Sequence, residues 1–202
     1  MHENVKQKIN LPNIIPIFPL EGVVMFPDTY LPLNIFEPRY LRMIEKAISS
    51  ENRLIGMIQL EKSNESDNKN AFYRVGCAGK IIKFEETNDN RYLITLKGLS
   101  RFNLISEKIN DQNFIEGSIE WKNFSNDLEN NKLLSDFSTL KIILKKYFKA
   151  KKIRVNMEAI DTYNDNNFID QITMICPLAN DEKQLLLETK SVTKRKIDLL
   201  IL

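Results

Sequence analysis

At 202 residues the chain can bury a sizeable hydrophobic core, as one large domain or two small ones. Hydrophobic residues at 43% and charged residues at 28% are ordinary globular values, and a net charge of +2 is too near balance to imply nucleic acid or a membrane surface. The single histidine, His2, leaves no base for a Ser-His or Cys-His pair and removes zinc's commonest ligand, while the six glycines form neither GxGxxG nor GxxxxGK[ST].

The opening "MHENVKQKIN" is polar with both charge signs, so it is read as no signal peptide. Apolar runs stay well short of the ~20 residues that a membrane span needs. "IIPIFPL" (Ile14 to Leu20) and "YLPLNIF" (Tyr30 to Phe36) read as strands, each interrupted by proline. Proline cannot donate to a ladder, which places them at edges, ends or bends. Between them Glu21-Gly22 marks a turn, Val23 to Phe26 a short apolar run, and Pro27-Asp28 a stop. "EPRYLRMIEKAISS" carries Tyr40, Ile44, Ala47 and Ile48 at helical spacing, with Pro38 suited to the first turn.

Strand character returns at "RLIGMIQL" (Arg53 to Leu60), followed by the polar loop Glu61 to Asn70. "VGCAGKIIKFEE" turns through "TNDN" into "RYLITLKG"; after Gly98 come "RFNLIS" and "NFIEGSIEW". Strands this closely spaced favour an antiparallel meander, closed or nearly so, and Gly76 and Gly79 suggest a bulged or bent strand. Past Trp121 the period changes. Leu133, Phe137, Leu140, Leu144, Tyr147 and Phe148 follow three-four spacing, and "NFIDQITMI" is a second helix. "NDEKQLLLET" is a third, with Asn180 as its expected N-cap, and "VTKRKIDLLIL" is the last. Cys77 and Cys176, 99 positions apart without CxxC spacing, read as free thiols of a reducing cytoplasm. The expected architecture is α+β: a β-barrel with one inserted helix over residues 1–125, then an α-helical bundle over 126–202.

"IPIFPLEGVVMFPDTYLPLNIFEPRYLRMIEKA" resembles the opening of the Lon substrate-binding domain family, especially its small stand-alone bacterial members. "VGCAGKI", "RYLITLKGLSRF" and "EKQLLLE" with the closing helix agree, so the resemblance touches most of the chain. It implies a PUA-like antiparallel β-barrel followed by helices, and a role in engaging proteins rather than cutting them. The loop at 61–72 and the stretch at 152–165 match nothing in the family pattern.

"LPLNIFEPRY" admits two readings. As a site, Glu37, Arg39 and Tyr40 face a ligand, with Arg39 forking a carboxylate or peptide carbonyls. As a joint, Pro32 bends the strand, Pro38 starts the helix and Arg39 pairs with an acid or covers backbone carbonyls of the barrel, partly buried, so that its loss costs ~1–3 kcal/mol. The joint is preferred, because every residue then has a structural task. Arg101, beside the core-type Phe102, is a second candidate, with the structural reading again preferred. From Phe137 to Met157 there are seven cations and no acid. Lys141, Lys145 and Lys149 stack at i, i+4 spacing, either as a solvated face or as a patch for acidic protein segments. The expected function is a cytoplasmic, non-enzymatic module that binds protein or peptide segments, acidic or unfolded, without cofactor, metal or membrane. The alternative is a PUA-like RNA- or nucleotide-binding domain, disfavoured because no aromatics interleave the lysine face.

Overall fold

The computed structural model describes residues 11–61, 71–129, 137–152 and 167–201. Strand β1 (Ile14–Pro19) leads through the Glu21-Gly22 turn, where Gly22 takes φ 72°. The Val23 to Phe26 run forms no strand. It crosses as buried coil, with Val24, Met25 and Phe26 in the core. Strand β2 (Tyr30–Ile35) pairs with β7 along one edge only. Gly98 N–H donates to Thr29 O, so by alternation the nitrogen of Pro32 faces the free edge, where no donor is needed.

Helix α1 (Pro38–Ile48) opens on proline and buries Tyr40, Ile44 and Ala47 of the expected stripe together with Met43, while Ile48 is half-buried. It carries the chain across to β3 (Leu54–Ile58), which lies parallel to β1. Here the all-antiparallel expectation is corrected: a helix-containing crossover returns the chain in the same direction, which no hairpin can do. The other pairings of this sheet are antiparallel. Short β4 (Leu60–Glu61) and β5 (Ala71–Phe72) form a separate ladder, and the polar loop between them lies outside the described residues.

Strand β6 (Val75–Glu86) and strand β7 (Tyr92–Ile109) form the long hairpin. The expected bulge is present, as the register slips between Ala78 and Gly79 and again between Ile81 and Lys83. β7 runs unbroken through Gly98, where a break between two segments was expected. A Cβ at Gly98 would sit 1.9 Å from Phe26 O, so the residue admits the crossing loop against the strand. Strand β8 (Ile115–Glu120) pairs with β1 and with the second half of β7. The order β2-β7-β6-β3-β1-β8 therefore returns on itself through β7–β8.

Inside that ring Phe102, fully buried, packs with Ile15, Ile17, Leu54, Leu104 and Ile119. A second apolar cluster runs from Phe18, Met25 and Leu96 into the helices. A 3₁₀ segment (Lys122–Leu128) leaves β8. Then come α2 (Ser138–Ala150), α3 (Asn167–Ile175), α4 (Asn180–Glu188) and α5 (Val192–Ile201). Leu140, Leu144 and Phe148 are the buried stripe of α2, as their spacing predicts, whereas Leu133 and residues 153–165 fall outside the described residues. Asn180 is the first residue of α4, not its cap. Ala179 takes the cap position, and its N–H donates to Glu182 Oε2 at 2.7 Å.

Candidate functional site

The Glu37-Pro38-Arg39-Tyr40 turn begins α1 beside the β7–β8 hairpin. The hairpin is closed by Asn110, whose Oδ1 accepts from the N–H groups of Gln112 and Phe114 at 3.0 and 3.2 Å. Arg42 Nε donates to Gln112 O at 2.9 Å and ties the helix to that turn. Between them lies an open groove of about 450 Å³ lined by Arg39, Tyr40, Ile109, Phe114 and Ile115. Tyr40 and Phe114 are buried in its floor, and Ile109 is 72% exposed at its lip. The charged groups at the rim are paired: Glu107 with Arg74 at 3.0 Å, Lys108 with Glu116 at 3.6 Å, and Arg39 with Glu37 at 2.9 Å. The groove thus offers apolar contact area bordered by neutralised charge.

Glu37, Arg39 and Tyr40 are brought together. Arg39 lies 4.5 Å over the Tyr40 ring, which packs on Phe18 at 4.4 Å between centroids. The Arg39 side chain is 51% exposed and its partner Glu37 is open too. A partly buried guanidinium was expected, and its removal would strand no buried group. Burial raises the Tyr40 phenol above its usual value, so it stays neutral in ordinary buffers.

Arg101 lies elsewhere and is 3% exposed. Its Nε and Nη2 meet Asp127 Oδ2 and Oδ1 at 2.8 and 2.7 Å, and its Nη1 donates to Leu187 O and Thr189 O at 2.9 Å. Phe124 lies 4.5 Å from its guanidinium carbon. Both faces of β7 are covered at this point, Phe102 inward and Arg101 beneath the 3₁₀ segment and α4. That burial removes Arg101 from the surfaces a partner can touch. Sequence reasoning missed the neighbouring buried pair. Arg195 Nη2 donates to Asp170 Oδ2 at 3.2 Å, while Nε and Oδ1, 2.9 Å apart, meet off the hydrogen-bond axis. Its signal was legible in principle, since Asp170 is the one charged residue among the buried Phe168, Ile169, Ile172 and Thr173 of α3.

The three lysines do not share one solvated line. Lys149 is exposed, but Lys141 and Lys145 lie at the border of the buried stripe, and Lys141 Nζ sits 5.3 Å over the Phe168 ring. Both cysteines are free and buried; burial pushes the Cys77 thiol well up and that of Cys176 to about 11. Neither is a thiolate at neutral pH.

The chain is a mixed six-stranded sheet joined to helices, with an open apolar groove and, among the described residues, no three metal-binding side chains clustered. Among those residues no helix is long and apolar enough to cross a membrane. The model of the ATP-dependent protease La (LON) substrate-binding domain matches residues 14–202, and the chain belongs to that family. It is 26% identical over 194 residues to the Lon protease of Syntrophus aciditrophicus, covering 92% of this chain and 24% of that protein. Against the Lon protease of Dictyoglomus thermophilum the identity is 26% over 197 residues, covering 95% and 24%. The chain therefore spans about a quarter of the length of these curated relatives. A Lon N-terminal domain protein from Xanthomonas campestris superposes with a TM-score of 0.64 at 19% identity, covering 93% of this chain and 97% of that one. The N-terminal domain of a Mycobacterium avium complex Lon protease gives 0.65 at 14%, covering 93% and 96%. At such identities the two structures speak for the fold alone.

Proposed function

We propose that the chain is a non-catalytic module that engages protein segments, taking apolar stretches of unfolded polypeptide into the groove between α1 and the β7–β8 hairpin. The groove itself carries the reading: exposed Ile109 stands beside Ile115 over a floor of Tyr40 and Phe114, with its rim charges already paired. Such a surface favours apolar side chains and discriminates little between sequences. What supports a PUA-like barrel within residues 1–125 is the return pairing of β8 with β7; four described helices support a bundle within 126–202. One apolar cluster runs through both parts, so the helices brace the site-bearing sheet instead of moving freely. In this account the module works in the cytoplasm as a recogniser or adaptor that holds a segment for processing by another component. The RNA-binding alternative gains no support from α2, where Phe148 is buried and Tyr147 packs on it at 5.8 Å.

A labelled, uncharged peptide of alternating valine and serine, titrated by fluorescence anisotropy, tests the groove. Ile109→Ser is expected to weaken binding about tenfold, the loss of one apolar anchor. Arg39→Ala should change stability by no more than about 1 kcal/mol, since its ion pair is exposed. Absence of saturable binding, or equal binding by Ile109→Ser, speaks against the groove.

A further inference from the structure

Helix α2 carries a feature that the groove does not use. At about 100° per residue, buried Leu140, Leu144 and Phe148 set its inward direction. The opposite side is formed by Ile142, Lys146 and Lys149, with Ile143 on its flank, about 80° round from the centre of that face. Ile142 is 57% and Ile143 46% exposed. A helix face that needed only water would carry polar residues there, whereas this one sets two β-branched apolar side chains among lysines. Ile142, Lys146 and Lys149 follow i, i+4, i+7, the repeat of a helix-packing seam. Phe137 to Lys152 contains six lysines and no acid. Like charges at i, i+4 disfavour an isolated helix, so the arrangement does nothing for α2 by itself.

We propose that the outward face of α2 docks an acidic amphipathic helix of a partner protein, its apolar stripe on Ile142 and Ile143 and its carboxylates on Lys146 and Lys149. The partner's sign follows from charge complementarity. A second copy of this chain is a poor occupant, because face-to-face pairing would set lysine against lysine. RNA fits badly too, since isoleucines occupy the places where stacking aromatics would stand. This surface is distinct from the groove and does not depend on it.

The test uses the full chain and two labelled helical peptides of about 18 residues, long enough to form the seam. Both carry leucine at i, i+4, i+7 and i+11; one has glutamate on both flanks, the other glutamine. The glutamate peptide should bind about tenfold tighter, an advantage that added salt erodes. Ile142→Ser and the pair Lys146→Gln, Lys149→Gln should each weaken it about tenfold while leaving circular-dichroism melting unchanged. Ile109→Ser, in the groove, should leave it unaffected. Equal affinity for the two peptides overturns the proposal. So does full binding by Ile142→Ser, a melting loss in that variant, or tighter binding of an oligouridine than of the glutamate peptide.

Discussion

Two arginines, Arg101 of β7 and Arg195 of α5, meet at a single carbonyl. Thr189 O, just past the end of α4, accepts from Arg101 Nη1 at 2.9 Å and from Arg195 Nη1 at 2.7 Å. The last carbonyls of a helix have no intrahelical donor and carry negative partial charge, so buried guanidinium groups complete them. Each arginine brings a carboxylate, Asp127 or Asp170, and the four charges face one another across β7, the 3₁₀ segment, α3 and α5. Burial is the largest influence on Asp170 and raises its carboxyl from 3.8 to about 6, against the pull of Arg195 and Arg101 and with a push from Asp127. Between those two values the folded chain holds the proton that the unfolded chain has released. This contribution to stability is therefore full below about pH 4 and lost as pH rises through about 6. The double variant Asp170→Leu, Arg195→Met lacks that dependence, and apolar replacements of a buried pair are often tolerated. Its melting temperature relative to the native chain should climb from pH 5 to pH 7. A difference that stays constant over that interval contradicts the assignment.

Among the elements, those whose signal is local were legible. α1 was announced by Pro38 and its three-four stripe, α3 occupies the segment read as helix, and β6 covers the segment "VGCAGKIIKFEE" read as strand. β7 was not legible as one strand, because a glycine inside an apolar run reads as punctuation. Gly98 is there for the loop that crosses it, a contact between residues about seventy positions apart in the chain. The parallel β1–β3 pairing was hidden for a related reason: strand direction follows from the route of the chain and leaves no mark on either strand. Gly98→Ala should cost about 3 kcal/mol or more, since backbone, not a flexible side chain, stands in the way. Denaturant melts would show the loss as a lower midpoint. An unchanged midpoint would mean that the Val23–Phe26 crossing can move aside at no cost.

For the whole molecule, family and general architecture were legible because "IFEPRY" and "KGLSRF" carry them in short strings. The candidate site was only half legible. Glu37, Arg39 and Tyr40 could be picked out by type, but Ile109, Phe114 and Ile115 become groove residues through the packing of helix against hairpin, which the Arg42–Gln112 hydrogen bond spans. Arg101 was chosen as a polar residue in a strand, and nothing in sequence says that the strand is covered on both faces. The lysine row drifts around α2 for a geometric reason: a step of four residues turns about 40° past a full circle. On the proposed reading, unfolded segments lie in the α1/β7–β8 groove. Hydrogen exchange of the native chain with and without a saturating uncharged valine–serine peptide tests this. Slowed exchange is expected only at the start of α1 and at residues 107–115, and clearly less of it in Ile109→Ser at the same peptide concentration. Protection elsewhere with these amides unchanged would contradict it.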